Sequence, residues 1–149
     1  MAAGREGEVR PLTQQEMEIP EFAHLMWQAS GAGPEKLERL VRDAPSKYLV
    51  HGVTDRGQVV AFVAFNPDSD PAVIRYIAVD EDRQRQRLGG VLISAVQQRA
   101  VGRSVYAETD DDAVDFYRRS GFGVVAKPSD PRWPERQRYA CTLPGASRI

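Results

Sequence analysis

The sequence is poor in the residues that build covalent or metal frameworks. It has one cysteine, Cys141, and two histidines, His24 and His51, in 149 residues. A single cysteine excludes an internal disulfide and any cysteine-based zinc site. Two histidines leave little for a protein-built transition-metal site, so no metal is expected. Charge of one sign is lacking too: 20 Lys and Arg face 21 Asp and Glu, a net charge of -1. That argues against a dedicated nucleic-acid binder, which carries a basic excess on one face; a local basic loop remains compatible. No apolar run approaches the ~18–20 residues of a membrane span, and Met1 to Arg10 has no apolar core that would serve as a secretion signal. The expectation is a cytoplasmic protein with neither nucleic acid nor membrane as partner.

What is present is enough for one core. Hydrophobic residues make up 42% of the chain, and a chain of this length buries roughly 68–70% of its unfolded surface. One domain over residues 1–149 is expected, with residues 1–8, mostly small or charged, as a flexible end.

Helical spacing of Phe22, Leu25, Met26 and Ala29 predicts a helix over 21–30. Gly31 and Gly33 break it, and Pro34 opens a second helix that Pro45 is expected to end. Strands follow at 47–53 and 58–65, joined by the turn signal Asp55-Arg56-Gly57 and read as a hairpin. A third strand covers 72–79. Then come a helix over about 89–101, a strand over 104–108, a helix over 112–120, and strands over 122–126 and 138–143. The helical crossover from Val79 to Ser104 predicts that the strands it joins are parallel. The fold class is α/β (α+β): a mixed sheet with helices packed on it.

The stretch Tyr76 to Ile93, YIAVDEDRQRQRLGGVLI, is the most informative. A buried strand runs into a polar loop, two glycines and a helix. The first amides of a helix lack internal partners and sit at the positive end of its dipole, so they suit an anion. Arg83, Arg85 and Arg87 add mobile positive charge. Composition alone leaves equal room for a solvated turn. There is no Gly-Lys-Ser/Thr and no G-x-G-x-x-G, so neither a Walker loop nor a dinucleotide fingerprint applies.

This stretch resembles motif A of the GNAT superfamily of N-acetyltransferases, Gln/Arg-x-x-Gly-x-Gly/Ala after a strand. Gln84 takes the first position and Gly89 that of the second glycine, while Arg87 stands where the family has its first glycine. Asp110 to Phe122, DDDAVDFYRRSGF, resembles motif B, Asn-x-x-Ala-x-x-Phe-Tyr-x-x-x-Gly-Phe. Ala113, Phe116, Tyr117, Gly121 and Phe122 match, with Asp110 for the Asn. Without motif A, Tyr117 reads first as a core aromatic at helical spacing.

The resemblance implies a GNAT-like, mostly antiparallel sheet of six to seven strands flanked by about four helices. It implies direct transfer of an acetyl group from acetyl-CoA, the co-substrate, to a primary amine on a small molecule or peptide. A homodimer is a family expectation. Gln84, Arg85, Gln86, Arg87, Leu88, Gly89 and Gly90 would bind the CoA pyrophosphate. Ile77, Ala78 and Val79 would hold the pantetheine arm and polarise the thioester. Asp110, Ala113, Phe116 and Tyr117 would complete the coenzyme site, with Tyr117 as general acid. The strand carboxylate that acts as base in the lysine-acetylating branch is replaced by Val73. Glu108 is then one candidate base and a water chain another; Glu108 reads equally as a solvated strand-end charge. Phe22, Leu25, Met26 and Trp27 are candidate acceptor-lining residues. Trp133 with Arg132 and Arg136, in a basic, Pro-rich loop, would read an acceptor, an anionic one among the options. The alternative is a non-catalytic acyl-CoA-binding regulatory module.

Overall fold

The computed structural model describes residues 8–132 and 134–145, with Arg85 and Gln86 described by backbone alone. The expected flexible end lies, but for Glu8, outside the described residues, as does Trp133. The elements run β1 (Arg10–Pro11), α1 (Gln14–Met17), α2 (Pro20–Ser30), α3 (Pro34–Lys47), β2 (Leu49–Asp55), β3 (Gln58–Asn66) and β4 (Ala72–Val79). A 3-10 helix at Glu81–Gln86 leads into α4 (Leu88–Arg99), then β5 (Val105–Asp110), α5 (Val114–Arg119), β6 (Gly123–Ala126) and β7 (Arg138–Leu143). The strands form one seven-stranded sheet in the order β1-β2-β3-β4-β5-β7-β6. Every pairing is antiparallel except β4 with β5, as the crossover argument required.

Two cores cover the two faces. On one, Leu88, Leu92, Ile93 and Val96 of α4 and Tyr117 of α5 pack on Val63, Phe65, Ile74, Val105, Ala107 and Cys141 of the sheet. On the other, Met17, Phe22, Leu25, Met26 and Ala44 of α1 to α3 pack on Val50, Val59, Phe62, Ala64 and Ala78. Seven consecutive residues of β3, Val59 to Phe65, are buried because helices lie on both sides of it. Phe22, Leu25 and Met26 are fully buried here and serve the core; of the four expected acceptor-lining residues only Trp27 is exposed.

Some elements differ from expectation. β1 and α1 have too few residues to show a period. They are held instead by Arg10, whose guanidinium bonds both Glu16 carboxylate oxygens (2.9 and 2.6 Å) and the Thr54 hydroxyl. α3 runs through Pro45 to Lys47, because buried Ala44 anchors its last turn and Tyr48 N–H closes on Ala44 O (3.0 Å). α5 starts at Val114, two residues late: the Asp110 carboxylate takes the N–H groups of Asp112 and Ala113 into a turn rather than capping a helix there.

Candidate active site

The site begins with a bulge. β4 pairs with β3 from Val73 to Val79, but the register slips at Arg75, which no β3 residue opposes. An extra residue bends the bulged strand. The parallel pairing with β5 is confined to Ala72–Val105 and Val73–Tyr106, just before that bend. Beyond it the two strands part and leave a wedge that opens towards Val79 and Asp110.

Which backbone groups face the wedge follows from the ladder. Asp80 N–H donates to Val60 O (2.8 Å), the bond that flanks a non-hydrogen-bonded Ala61–Val79 pair. The N–H and C=O of Val79 therefore point away from β3, into the wedge. By alternation those of Ile77 do the same, whereas those of Ala78 are spent on β3. Of the three residues expected to expose their backbone, the wedge receives two.

The Val79 carbonyl is already taken. Gln28 of α2 donates to it through Nε2 at 2.8 Å, and Gln84 approaches it at 3.4 Å. Gln28 carried no signal in the sequence, since only the packing of α2 on β4 brings it there. Its Oε1 is buried and without a partner. The Val79 N–H stays unpaired by β5, so the wedge presents donors rather than acceptors at this end.

Beside the wedge, α4 opens with free amides. Arg87 is its N-cap, offers no side-chain cap, and adopts the left-handed conformation (φ 61°, ψ 25°). A glycine would take this conformation without strain, whereas an L side chain is strained there by about 1–2 kcal/mol. Gly89 is buried, and a Cβ on it would collide with the Phe116 ring of α5. Gly90 is exposed with open space around it. Arg83, expected as mobile charge, is committed to Asp55 in the hairpin turn at 2.5 Å.

Tyr117 lies under the wedge, on the α4 and α5 face. Its ring stands edge-on between Phe116 and Phe122, with centroids 5.2 and 5.1 Å away. The residue is buried, and burial pushes its phenol well above the usual value, with Cys141 adding to the rise. No group among the described residues bonds the hydroxyl, yet it is not one of the sealed orphan oxygens, so it keeps some solvent contact.

Glu108 stands on the other face. Val105, Ala107 and Thr109 of β5 are buried, Tyr106 is half-buried, and Glu108 and Asp110 are exposed. Ala107 belongs to the same core as Tyr117, so strand alternation turns Glu108 away from that face. Although only nine positions separate the two along the chain, the pleat puts them on opposite faces. Glu108 accepts from Lys127 Nζ and from the Tyr106 hydroxyl, each at 2.8 Å. The Lys127 bond, helped by that of Tyr106, holds its carboxyl below the usual range. His51 is half-buried edge-on to Phe65, and burial lowers its pKa. His24 pairs with Trp27 on exposed helix surface.

A bulge-opened wedge beside a helix start with free amides is set in a chain whose sequence matches the acetyltransferase (GNAT) family over residues 9–122. The chain belongs to the GNAT acetyltransferase family. Solved structures agree in fold. A putative GNAT acetyltransferase from Desulfovibrio desulfuricans has a TM-score of 0.72 at 21% identity, covering 93% of this chain and 98% of that one. An aminoglycoside 6'-N-acetyltransferase complexed with coenzyme A has a TM-score of 0.78 at 12% identity, covering 95% and 98%. A GNAT acetyltransferase from Elizabethkingia anophelis with acetyl-CoA bound reaches 0.68 at 17%, covering 91% and 96%. No curated protein matches the sequence. This acetyltransferase thus shares its fold with these structures; among the described residues it has a seven-stranded, mostly antiparallel sheet flanked by five α-helices. Among the described residues no helix is long and apolar enough to cross a membrane.

Proposed function

We propose that this acetyltransferase moves an acetyl group directly from acetyl-CoA to a primary amine. The wedge carries the reading: the Ile77 backbone groups and the Val79 N–H, which no strand pairs, face it, and the chain runs from there through the 3-10 helix to the uncapped start of α4 at Leu88, Gly89 and Gly90. A pantetheine arm adds to the open edge of β4 as a further strand would, with Ile77 N–H and C=O meeting its amides. The coenzyme diphosphate then falls at the start of α4, where amides and dipole favour it. The open side of Gly90 and the exposed Arg87 lie along that approach; Gly89 serves the site indirectly, by letting Phe116 seat α5.

The Val79 N–H, freed of any strand partner, is the donor for the thioester oxygen. As the amine adds, that oxygen takes negative charge, and one well-aimed amide is worth roughly 3 kcal/mol there. The tetrahedral intermediate collapses by breaking the carbon–sulfur bond, and the sulfur takes a proton. Tyr117 supplies it from the coenzyme face; its raised pKa keeps the phenol protonated throughout the neutral range. Glu108 works from the opposite face. Ionised and held by Lys127, it draws the acceptor ammonium towards the wedge, and the amine proton leaves through water beside it.

The test is release of free CoA thiol across a panel of small amines and peptide amino termini. Turnover with at least one amine class, reduced strongly in Tyr117→Phe without loss of acetyl-CoA affinity, is the expected result. The second reading, an acyl-CoA-binding regulatory module, draws on the burial of Tyr117 and the commitment of Glu108 to Lys127. Protection by acetyl-CoA with no thiol release on any amine would favour it.

A further inference from the structure

Resting on the reading above, a specific acceptor chemistry follows from the β6–β7 connection. This segment leaves the sheet at Lys127 and returns at Arg138, and its mouth is tied. Lys127 N–H donates to Arg138 O (2.8 Å), and the Gln137 side-chain amide donates to the Lys127 and Arg138 carbonyls (3.1 and 2.9 Å). Pro128, Pro131 and Pro134 restrict the backbone between. The segment encloses a cleft of about 430 Å³ lined by Lys127, Pro128, Asp130, Arg136 and Arg138.

The charges in this cleft do not cancel. Asp130 is spent on Arg132, accepting from its backbone N–H and twice from its guanidinium (2.9, 3.2 and 2.9 Å). Lys127 is spent on Glu108. Arg136 and Arg138 are exposed and form no ion pair among the described residues. Asp110 lies directly across the ladder from Arg138, but its Oδ1 accepts from two backbone amides and the two side chains form no salt bridge. Neither guanidinium therefore has a salt-bridged carboxylate among the described residues.

The register aligns this cleft with the wedge. Arg138 opposes Asp110 and Ala140 opposes Glu108 on β5, so Arg138 shares the face of Glu108, and its charge acts on that carboxylate. The same face thus carries the Glu108–Lys127 pair at the wedge and, one strand away, two cations that form no salt bridge among the described residues. We propose that the acceptor is a primary amine bearing a carboxylate or phosphate group: Arg136 and Arg138 bind the anion, and Glu108 receives the ammonium. A guanidinium fork suits both anions.

The test compares matched amines in the CoA-release assay: aminobutyrate against butylamine, phosphoethanolamine against ethanolamine, and a peptide with an acidic second residue against its amide counterpart. Spermidine and kanamycin represent polycations. The anionic member of at least one pair should exceed its partner by about tenfold or more in kcat/KM, a preference that shrinks as salt is raised. The pair that responds tells a small acceptor from a peptide. In Arg136→Gln/Arg138→Gln the KM for that amine should rise about 10- to 100-fold, the size of a lost charge-assisted contact, while the KM for acetyl-CoA holds; Arg138→Lys should recover part of it. Equal or better turnover of neutral or cationic partners, or an unchanged KM in the double variant, overturns the proposal. If no amine releases CoA, the transfer reading fails by itself. The cleft is then tested by thermal shift with the N-acetyl derivatives of the same amines in the presence of CoA. A shift seen only with the anionic derivatives and lost in the double variant supports anion recognition, and its absence refutes it.

Discussion

Three neighbouring positions at the start of α4 should respond with different signs, which makes them a sensitive test of the site. Replacing Gly89 by Ala puts a methyl into the Phe116 ring, whose next carbon is only 3.0 Å from the new atom. Overpacking of this kind costs about 1–3 kcal/mol, and the helix preference of Ala over Gly returns about 0.5–1 kcal/mol. A net loss of roughly 1–2 kcal/mol lowers Tm by about 2–8 °C in a chain of this size. Gly90→Ala meets nothing within 4 Å, so the helix preference acts alone and Tm should rise by about 1–4 °C. Arg87→Gly relieves the left-handed strain at φ 61°. The larger freedom of glycine in the unfolded chain offsets about half of the gain, leaving it stabilised by about 0–1 kcal/mol. Calorimetry of the free protein reads all three. Titration with acetyl-CoA then separates fold from function: Gly90→Ala should be more stable when free yet gain less from the coenzyme, because its methyl occupies the approach to the α4 amides. A Gly89→Ala protein as stable as the parent would refute the α4–α5 packing. A Gly90→Ala protein with the full coenzyme-induced shift would move the diphosphate away from this turn.

Tyr117→Phe removes a hydroxyl that no group among the described residues bonds, so unfolding should change by less than about 1 kcal/mol while turnover falls about a hundredfold or more; because burial raises the phenol's pKa, any loss of rate on the alkaline side below pH 10 should persist in the variant. Glu108→Gln should leave stability nearly unchanged, since an exposed pair contributes about 0–1 kcal/mol, and should lower kcat/KM for the amine without altering acetyl-CoA affinity in titration calorimetry. Lys127 holds the Glu108 carboxyl low, so Lys127→Ala should shift the acid limb of the rate profile upward. Glu16, held down to about 2 by the Arg10 guanidinium, contributes stability that is full above the unfolded carboxyl's value of about 4.3 and is lost as pH falls towards 2. Glu16→Gln should therefore cost about 1–2 kcal/mol at pH 7, and chemical denaturation should show that difference closing with acid.

Local patterns and tertiary context divided the work unevenly. The run AVIRYIAV delimited β4 to the residue, and RYACTL did the same for β7. In each, β-branched, aromatic or small apolar residues end at polar ones, a signal carried by near neighbours. The Ala113, Phe116, Tyr117 spacing placed a helix face, although Asp110 delayed its start by capturing two amides. β1 and α1 escaped notice because two and four residues hold no period. The alternation VYAETD itself carries the signal that Glu108 turns away from the face of Ala107.

The sequence alone determined the longer strands and helices, the parallel crossover, and the family, since these rest on composition and spacing within some twenty residues. The tertiary structure decided the wedge, the capture of the Val79 carbonyl by Gln28, the placing of Tyr117 and Glu108 on opposite faces, and the commitment of Arg83 and Lys127 to partners. Those features depend on register, and one unopposed residue at Arg75 bends a strand whose neighbours along the chain give no sign of it. A contact between α2 and β4, 51 residues apart at Gln28 and Val79, exists only once the sheet has been assembled.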